Sequence, residues 1–184
     1  MAIGTIRPAR ATDLAQVYEI FYEADVEDDP HPPPRRAIPS IFQHELETGE
    51  MWVVQVGNLI IAFASLITRG SIAYLSELFV RADYQSAKTG QTLLHHILPH
   101  DGRTCCTLSS RDPRALGLYI RAAMRPQWPN FLLRVNTAEL GDLALGDVEI
   151  VEGQAADPAF VHWDAEIQRR GPLARHPPEP AALG

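Results

Sequence analysis

The chain has 184 residues, 46% of them hydrophobic and 21% charged, with a net charge of −7. That length suits one domain of ordinary size plus a short addition, and that composition excludes a disordered, collagenous or coiled-coil chain. The acidic balance argues against a nucleic-acid partner, because such proteins neutralise phosphates with a basic surplus. The longest apolar run, near Leu59–Leu66, is far shorter than the roughly 20 residues that span a bilayer. No basic-then-apolar leader opens the sequence, so the expectation is a cytoplasmic protein without a membrane partner. Cys105 and Cys106 are neighbours on a predicted strand, point to opposite faces and are expected to pack in the sheet without forming a disulfide framework.

In chain order, Thr5–Pro8 reads as a short strand ending at a proline. Asp13 is placed to cap a helix whose apolar positions are Leu14, Val17, Ile20 and Phe21. Five carboxylates, Glu23, Asp25, Glu27, Asp28 and Asp29, then precede His31-Pro32-Pro33-Pro34, and the stretch reads as an extended, stiff loop. Ile38–Glu47 reads as a second helix, stopped by Gly49. Met51–Val56 and Leu59–Leu66, joined by Gly57-Asn58, form a strong hairpin signal. A third strand is expected over Ile72–Val80, and a polar stretch, Gln85–Thr92, leads into a helix carrying Leu93, Leu94 and Ile97. Another strand follows at Thr104–Leu108. Asp112-Pro113 then opens a helix with Leu116, Tyr119 and Ile120 as its apolar positions, and Phe131–Val135 is a last strand. The whole predicts an α/β (α+β) fold with a mixed, mostly antiparallel central sheet flanked by helices.

Beyond this core, Ile150, Ala155, Asp157, Ala159 and Val161 match Ile6, Ala11, Asp13, Ala15 and Val17 at a constant shift. Residues 148–170 therefore look like the opening strand and helix again, and chance similarity between two such units explains this equally well. The expected division is a domain over residues 1–136 and an extension over 137–184 with a loose tail. A sheet edge after Val135 offers a second copy a place to dock, which makes a homodimer possible.

The stretch that carries chemistry runs from Leu75 to Leu94. An apolar strand passes through a polar loop into a helix, gathering unpaired N–H groups at a helix N-terminus, which suits a phosphate. Gly90 would let the backbone come close to such a ligand. Lys88-Thr89-Gly90 is the wrong order for a P-loop.

Gln85-Ser86-Ala87-Lys88-Thr89-Gly90 resembles the Gln/Arg-x-x-Gly-x-Gly/Ala signature of the GNAT superfamily of acyl-CoA-dependent N-acetyltransferases, with Lys88 in place of the first glycine. Asp112, Ala115, Tyr119, Ala123 and Met124 resemble a second block of that family, with Asp for Asn and Ala-Met for Gly-Phe. The resemblance spans Thr5–Val135 and implies acetyl-CoA as co-substrate, an amine acceptor and no metal. It implies that the backbone of Leu78, Phe79 and Val80 pairs with the pantetheine arm, and that the N–H groups from Ser86 through Ala87, Lys88, Thr89 and Gly90 to Gln91 hold the pyrophosphate. Gln85 and Asp112 complete the cofactor-binding set, and Tyr119 sits by the sulfur.

An amine with a pKa near roughly 10 must lose a proton before attacking the thioester, and Glu77 is the candidate base. A strand N–H near Phe79 is the candidate oxyanion donor, and Tyr119 the candidate acid for the leaving thiolate. Strand carboxylates are commonly solvated, and alternation alone does not place Glu77 in a cleft. The acidic run could favour a cationic amine, although solvated linker charge is the commoner reason for such a run. His96 and His100 have zinc-pair spacing but Pro99 intervenes, which favours a surface role. The expected function is acetyl transfer to a small-molecule or peptide amine in a ternary complex. The alternative is a non-catalytic acyl-CoA sensor, and an acyl donor longer than acetyl is also open.

Overall fold

The computed structural model describes residues 4–27, 29–110, 112–127, 129 and 162. Five strands are laid side by side in chain order: β1 (Thr5–Pro8), β2 (Glu50–Val56), β3 (Leu59–Arg69), β4 (Ile72–Val80) and β5 (Thr104–Thr107). The first four pair antiparallel and β5 joins β4 in parallel, so the sheet is mixed and mostly antiparallel. Helices α1 (Leu14–Asp25) and α2 (Ser40–Thr48) cover one face, where Val17, Ile20, Phe42, Val53, Ile60 and Phe63 form a core. Helices α3 (Thr89–Ile97) and α4 (Pro113–Arg121) cover the other face, over Ile61, Ala62, Ala64, Leu66 and Leu75. Burying one apolar stripe of each helix against the sheet is the main favourable term holding the layers together.

Local chemistry explains most boundaries. Gly57 takes a φ of +59° in the two-residue turn between β2 and β3, the conformation such a turn needs and glycine supplies without strain. Asp112 caps α4 by accepting the Arg114 N–H at 2.8 Å, with Pro113 at the first helical position. Helix α2 ends at Gly49, where a side chain would not fit: a Cβ there would lie 2.7 Å from Leu66 O.

Several local expectations are corrected. Asp13 stands at the N-cap position of α1, as expected, but its side chain bonds none of that helix's amides. It closes a 3-10 turn over Ala11–Asp13 by accepting the Arg10 N–H at 2.7 Å, and it pairs with both terminal nitrogens of Arg7 at 2.7 and 2.8 Å. Helix α1 runs through Glu23 to Asp25, so the acidic stretch begins on a helix and not in an extended loop. On α4 the packed positions are Ala115, Leu118, Tyr119 and Ala122, at i, i+3, i+4 and i+7, whereas Leu116 and Ile120 are exposed. Cys105 packs against the core, but Cys106 is exposed, because β5 is a short strand at the edge of the sheet. The expected strand at Phe131–Val135, the repeat-like unit and the boundary at 136/137 lie outside the described residues.

Candidate active site

The site begins with an irregularity in β4. Leu75 pairs with Leu66 and Glu77 pairs with Ser65, so Ser76 is surplus in the ladder. Such a bulge breaks the alternation of faces. Before it, Ala73 and Leu75 face α3. After it, Leu78 and Val80 face α3, and Phe79 packs on the α1/α2 side. Unbroken alternation from Leu75 would have put Glu77 on the α3 face; the bulge sends it with Phe79 to the other.

The same region is where the sheet opens. Pairing of β4 with β5 covers Ile72–Leu75 against Thr104–Thr107 and stops there, although β4 continues to Val80. The Arg81 N–H donates to Ile61 O at 2.9 Å, across β3, while Val80 O accepts from Gln85 Nε2 at 3.2 Å on the other side. Alternation of backbone groups along an antiparallel strand therefore turns the Leu78 and Val80 amides to the open side and the Phe79 amide to β3.

At the end of β4 the chain makes a 3-10 turn over Ala82–Ala87 and enters α3 through Lys88. Lys88 stands at φ +61°, the left-handed region, at the position where the family signature has glycine. No side chain caps α3, and the first amide bonded within it is Thr92 N–H to Lys88 O at 2.9 Å. The Thr89, Gly90 and Gln91 amides thus point out of the helix end, where the dipole favours an anion. A Cβ on Gly90 would come no closer than 3.4 Å to Val80 and 3.7 Å to Leu118. The protein's own packing has room for alanine there. Gln85 is taken up in holding this loop, donating to Val80 O and accepting from Arg114 Nη1.

Tyr119 is buried on α4 and its hydroxyl is turned to Thr107 on β5, whose own hydroxyl donates to Leu75 O at 2.8 Å. Burial first, then the nearby Glu77 and Tyr74, push its phenol above the usual tyrosine range, against the pull of Thr107. The Glu77 carboxyl is pushed up to about 7, mainly by burial and secondarily by Glu45 on α2. Glu45 is itself buried, and sequence reasoning missed it. Its signal was the three-residue spacing from Phe42, which puts both on the inner face of α2. Asp112 is held low by Arg114, its hydrogen-bond partner.

The acidic run is partly committed elsewhere. Glu23 pairs with Arg81 at 3.0 Å, and Glu27 approaches Arg114 at 3.8 Å. His96 stacks edge-on against Trp52, with centroids 4.2 Å apart, and α3 ends at Ile97, before His100. Among the described residues, no three side chains gather as a metal site, and no helix is long and apolar enough to cross a membrane.

A mixed sheet that parts beside a bulged strand, with an uncapped helix N-terminus at the opening, is the architecture of a CoA-dependent acyltransferase domain. The family model described as the acetyltransferase (GNAT) family matches residues 14–124. The chain belongs to that family. Solved structures share the fold. A possible acetyltransferase from Clostridium difficile 630 is 15% identical over 73% of this chain and 99% of its own, with a TM-score of 0.57. A ribosomal-protein-alanine N-acetyltransferase from Brucella melitensis biovar Abortus 2308 is 14% identical, over 71% and 98%, with a TM-score of 0.52. An aminoglycoside acetyltransferase from an uncultured soil metagenomic sample is 17% identical, over 72% and 96%, with a TM-score of 0.53. No curated protein sequence matches the chain.

Proposed function

We propose that this protein moves an acetyl group from acetyl-CoA to a primary amine by direct transfer in a ternary complex. The observation that carries the reading is the juxtaposition of Glu77, turned by the Ser76 bulge, with the unpaired edge of β4 and the free amides of α3. The pantetheine arm lies along Leu78–Val80 as an added strand, its amides meeting those of Leu78 and Val80. The diphosphate rests on the amides from Ser86 to Gln91, and Gly90 leaves the backbone bare where the phosphates come closest. Lys88, which has no ion-pair partner among the described residues, adds a positive charge at this end.

The reaction then follows from the two ionisable groups. Glu77, titrating at about 7, accepts a proton from the incoming ammonium, directly or through one water, and frees the amine to attack the thioester carbon. The Leu78 amide, on the open side, supports the oxyanion, in place of the donor first expected near Phe79. As the carbon–sulfur bond breaks, the thiolate takes the proton of Tyr119, whose raised proton affinity keeps it protonated at neutral pH.

The acceptor is the finer question. One solved relative is named for a peptide amine and another for an aminoglycoside, so the shared fold serves both classes. The test is calorimetry with acetyl-CoA followed by a panel of peptide and small-molecule amines with thiol detection. Binding together with thiol release that depends on the amine is the expected result. Binding with no release from any amine favours the sensor reading, and no binding rejects both.

A further inference from the structure

Glu45 is the most deeply buried acidic side chain among the described residues, 1% exposed, and its Oε2 has no hydrogen-bond partner. A lone carboxyl group inside a protein is costly, and buried charges are ordinarily paired. Asp13, the other buried acid of this domain, follows the rule through Arg7. Glu45 does not, and folding alone gives no reason to keep it.

Its place in the fold is defined from both sides. One turn before it, Phe42 packs on Phe63 with centroids 6.0 Å apart; one turn after it, Gly49 presses on the Leu66 carbonyl. Glu45 lies between these two points on α2 as Ser65 lies between Phe63 and Leu66 on β3, and Ser65 is the direct partner of Glu77. The Ser65 hydroxyl is also fully buried and unpartnered. Three polar side chains, two with unused atoms, therefore share one patch of an otherwise aromatic face lined by Phe42, Phe63 and Phe79. The other titratable groups that face Glu77 are Tyr74 on its own strand and Tyr119 on α4, both neutral at pH 7. Glu45 is thus the acidic side chain placed to act on it.

We propose that Glu45 is a positioning residue for acetyl transfer: held by α2 in the buried polar patch that it shares with Ser65 and Glu77, it acts on the reaction only through Glu77, the group that receives the proton released by the amine. The inference rests on the acetyl-transfer reading with Glu77 as base. In that step an amine N–H bond breaks, its proton passes to Glu77, the C–N bond forms and the C–S bond breaks. Glu45 takes part in none of these bonds; it sets how strongly Glu77 binds the proton.

Glu45→Gln keeps the shape and removes the acid. The expected variant melts at the same or a higher temperature, since a buried carboxyl group without a partner is gone. Its kcat/KM profile against pH has the acid limb displaced downward by about half to one unit, and a high-pH plateau lower by roughly three-fold. In a Glu77→Gln background the same substitution changes neither. A 13C titration of the Glu77 carboxyl without acetyl-CoA gives a readout independent of turnover, and its midpoint falls in Glu45→Gln. An unmoved midpoint in a folded variant, or an equal activity loss in both backgrounds with a lower melting temperature, overturns the proposal. Should Glu45→Gln fail to fold, Glu45→Met carries both measurements, and failure of both variants assigns Glu45 a purely structural role. If the wild type binds acetyl-CoA and acetylates no amine while the midpoint still moves, the transfer reading falls and Glu45's catalytic role with it, yet the tie between the two carboxyls stands.

Discussion

Glu77 stands opposite Ser65 across β3 and β4, one residue further along β4 than the register of Leu75 with Leu66 would allow. That single surplus residue decides which face of the sheet carries the carboxyl group. On the α3 face it would meet Leu93 and Leu94; on the α1/α2 face it meets Glu45 and the aromatic cluster. The side on which Glu77 lies and its raised proton affinity therefore trace to the same bulge.

Glu77→Gln is expected to lower kcat/KM by about a hundred-fold, the usual share of a general base. In the wild type, activity rises with pH through a midpoint near 7, because only the ionised carboxyl accepts the proton. Stability has the opposite slope. The folded carboxyl titrates at about 7 and its ordinary value is 4.5, so the folded state holds more protons between these values and loses stability as pH rises through that window. Thermal melts at pH 5 and pH 8 check this: Glu77→Gln stabilises more at pH 8, by on the order of 1 kcal/mol after allowing for partial exposure. Equal effects at both pH values would show that Glu77 has an ordinary carboxyl.

Tyr119→Phe removes one hydroxyl from a buried ring that packs with Leu75 and Leu94 in one core. The expected loss is in kcat, by roughly 10²-fold, with KM for acetyl-CoA nearly unchanged. Burial and Glu77 push the wild-type phenol upward, so the alkaline limb of the kcat profile lies above the ordinary tyrosine range and disappears in the variant. Steady-state kinetics of both proteins from neutral pH to well above the ordinary tyrosine range decide it. A fall in KM alone would contradict the assigned role.

How much of this was legible beforehand follows the range of the interactions. The Gly57-Asn58 hairpin, the Asp112-Pro113 helix start and the strand-to-helix passage at Gln85–Gly90 depend on neighbours in the sequence, and each was read from them. The side of the sheet on which Glu77 lies depends on the Ser76 bulge, which exists only because β3 and β4 pair as they do. Glu45 went unread for a similar reason. Its significance comes from Ser65 and Glu77, far along the chain, and on α2 alone it is one more polar position. Asp13 was recognised as a capping residue, but Arg7 and the Arg10 amide give it a different partner set. The exposed Leu116 and Ile120 show the limit of apolar periodicity on a short helix: two stripes fit nearly as well, and small residues, Ala115 and Ala122, mark the buried one.

Gly90→Ala separates folding from binding. Gly90 is the second residue of α3, where alanine is the better helix former, and an added methyl meets nothing closer than 3.4 Å. The variant is expected to be more stable by about 0.5–1 kcal/mol and to bind CoA at least roughly ten-fold more weakly, because the methyl occupies the approach of the diphosphate. Denaturant melts and calorimetry measure the two effects. A stabilised variant with unaltered affinity would remove Gly90 from the binding site.

Lys88 and Ala123 are the two non-glycine residues at positive φ among the described residues, at +61° and +63°, and both stand where the family pattern has glycine. Ala123 ends α4 in a Schellman arrangement, its N–H bonded to Ile120 O and that of Met124 to Tyr119 O, each at 3.0 Å. A side chain in this conformation costs on the order of 1 kcal/mol, and glycine removes that strain. Ala123→Gly should therefore raise stability by about 0.5–1 kcal/mol and leave CoA affinity alone, since Ala123 has no part in the α3 opening. Lys88→Gly should relieve the same strain but also delete a charge beside the diphosphate. Its affinity for CoA is expected to fall, with a shallower dependence on salt than the wild type. If Lys88→Gly instead bound CoA more tightly at every salt concentration, the backbone and not the ammonium would be what this position contributes, and the charge assigned to it would have to be withdrawn.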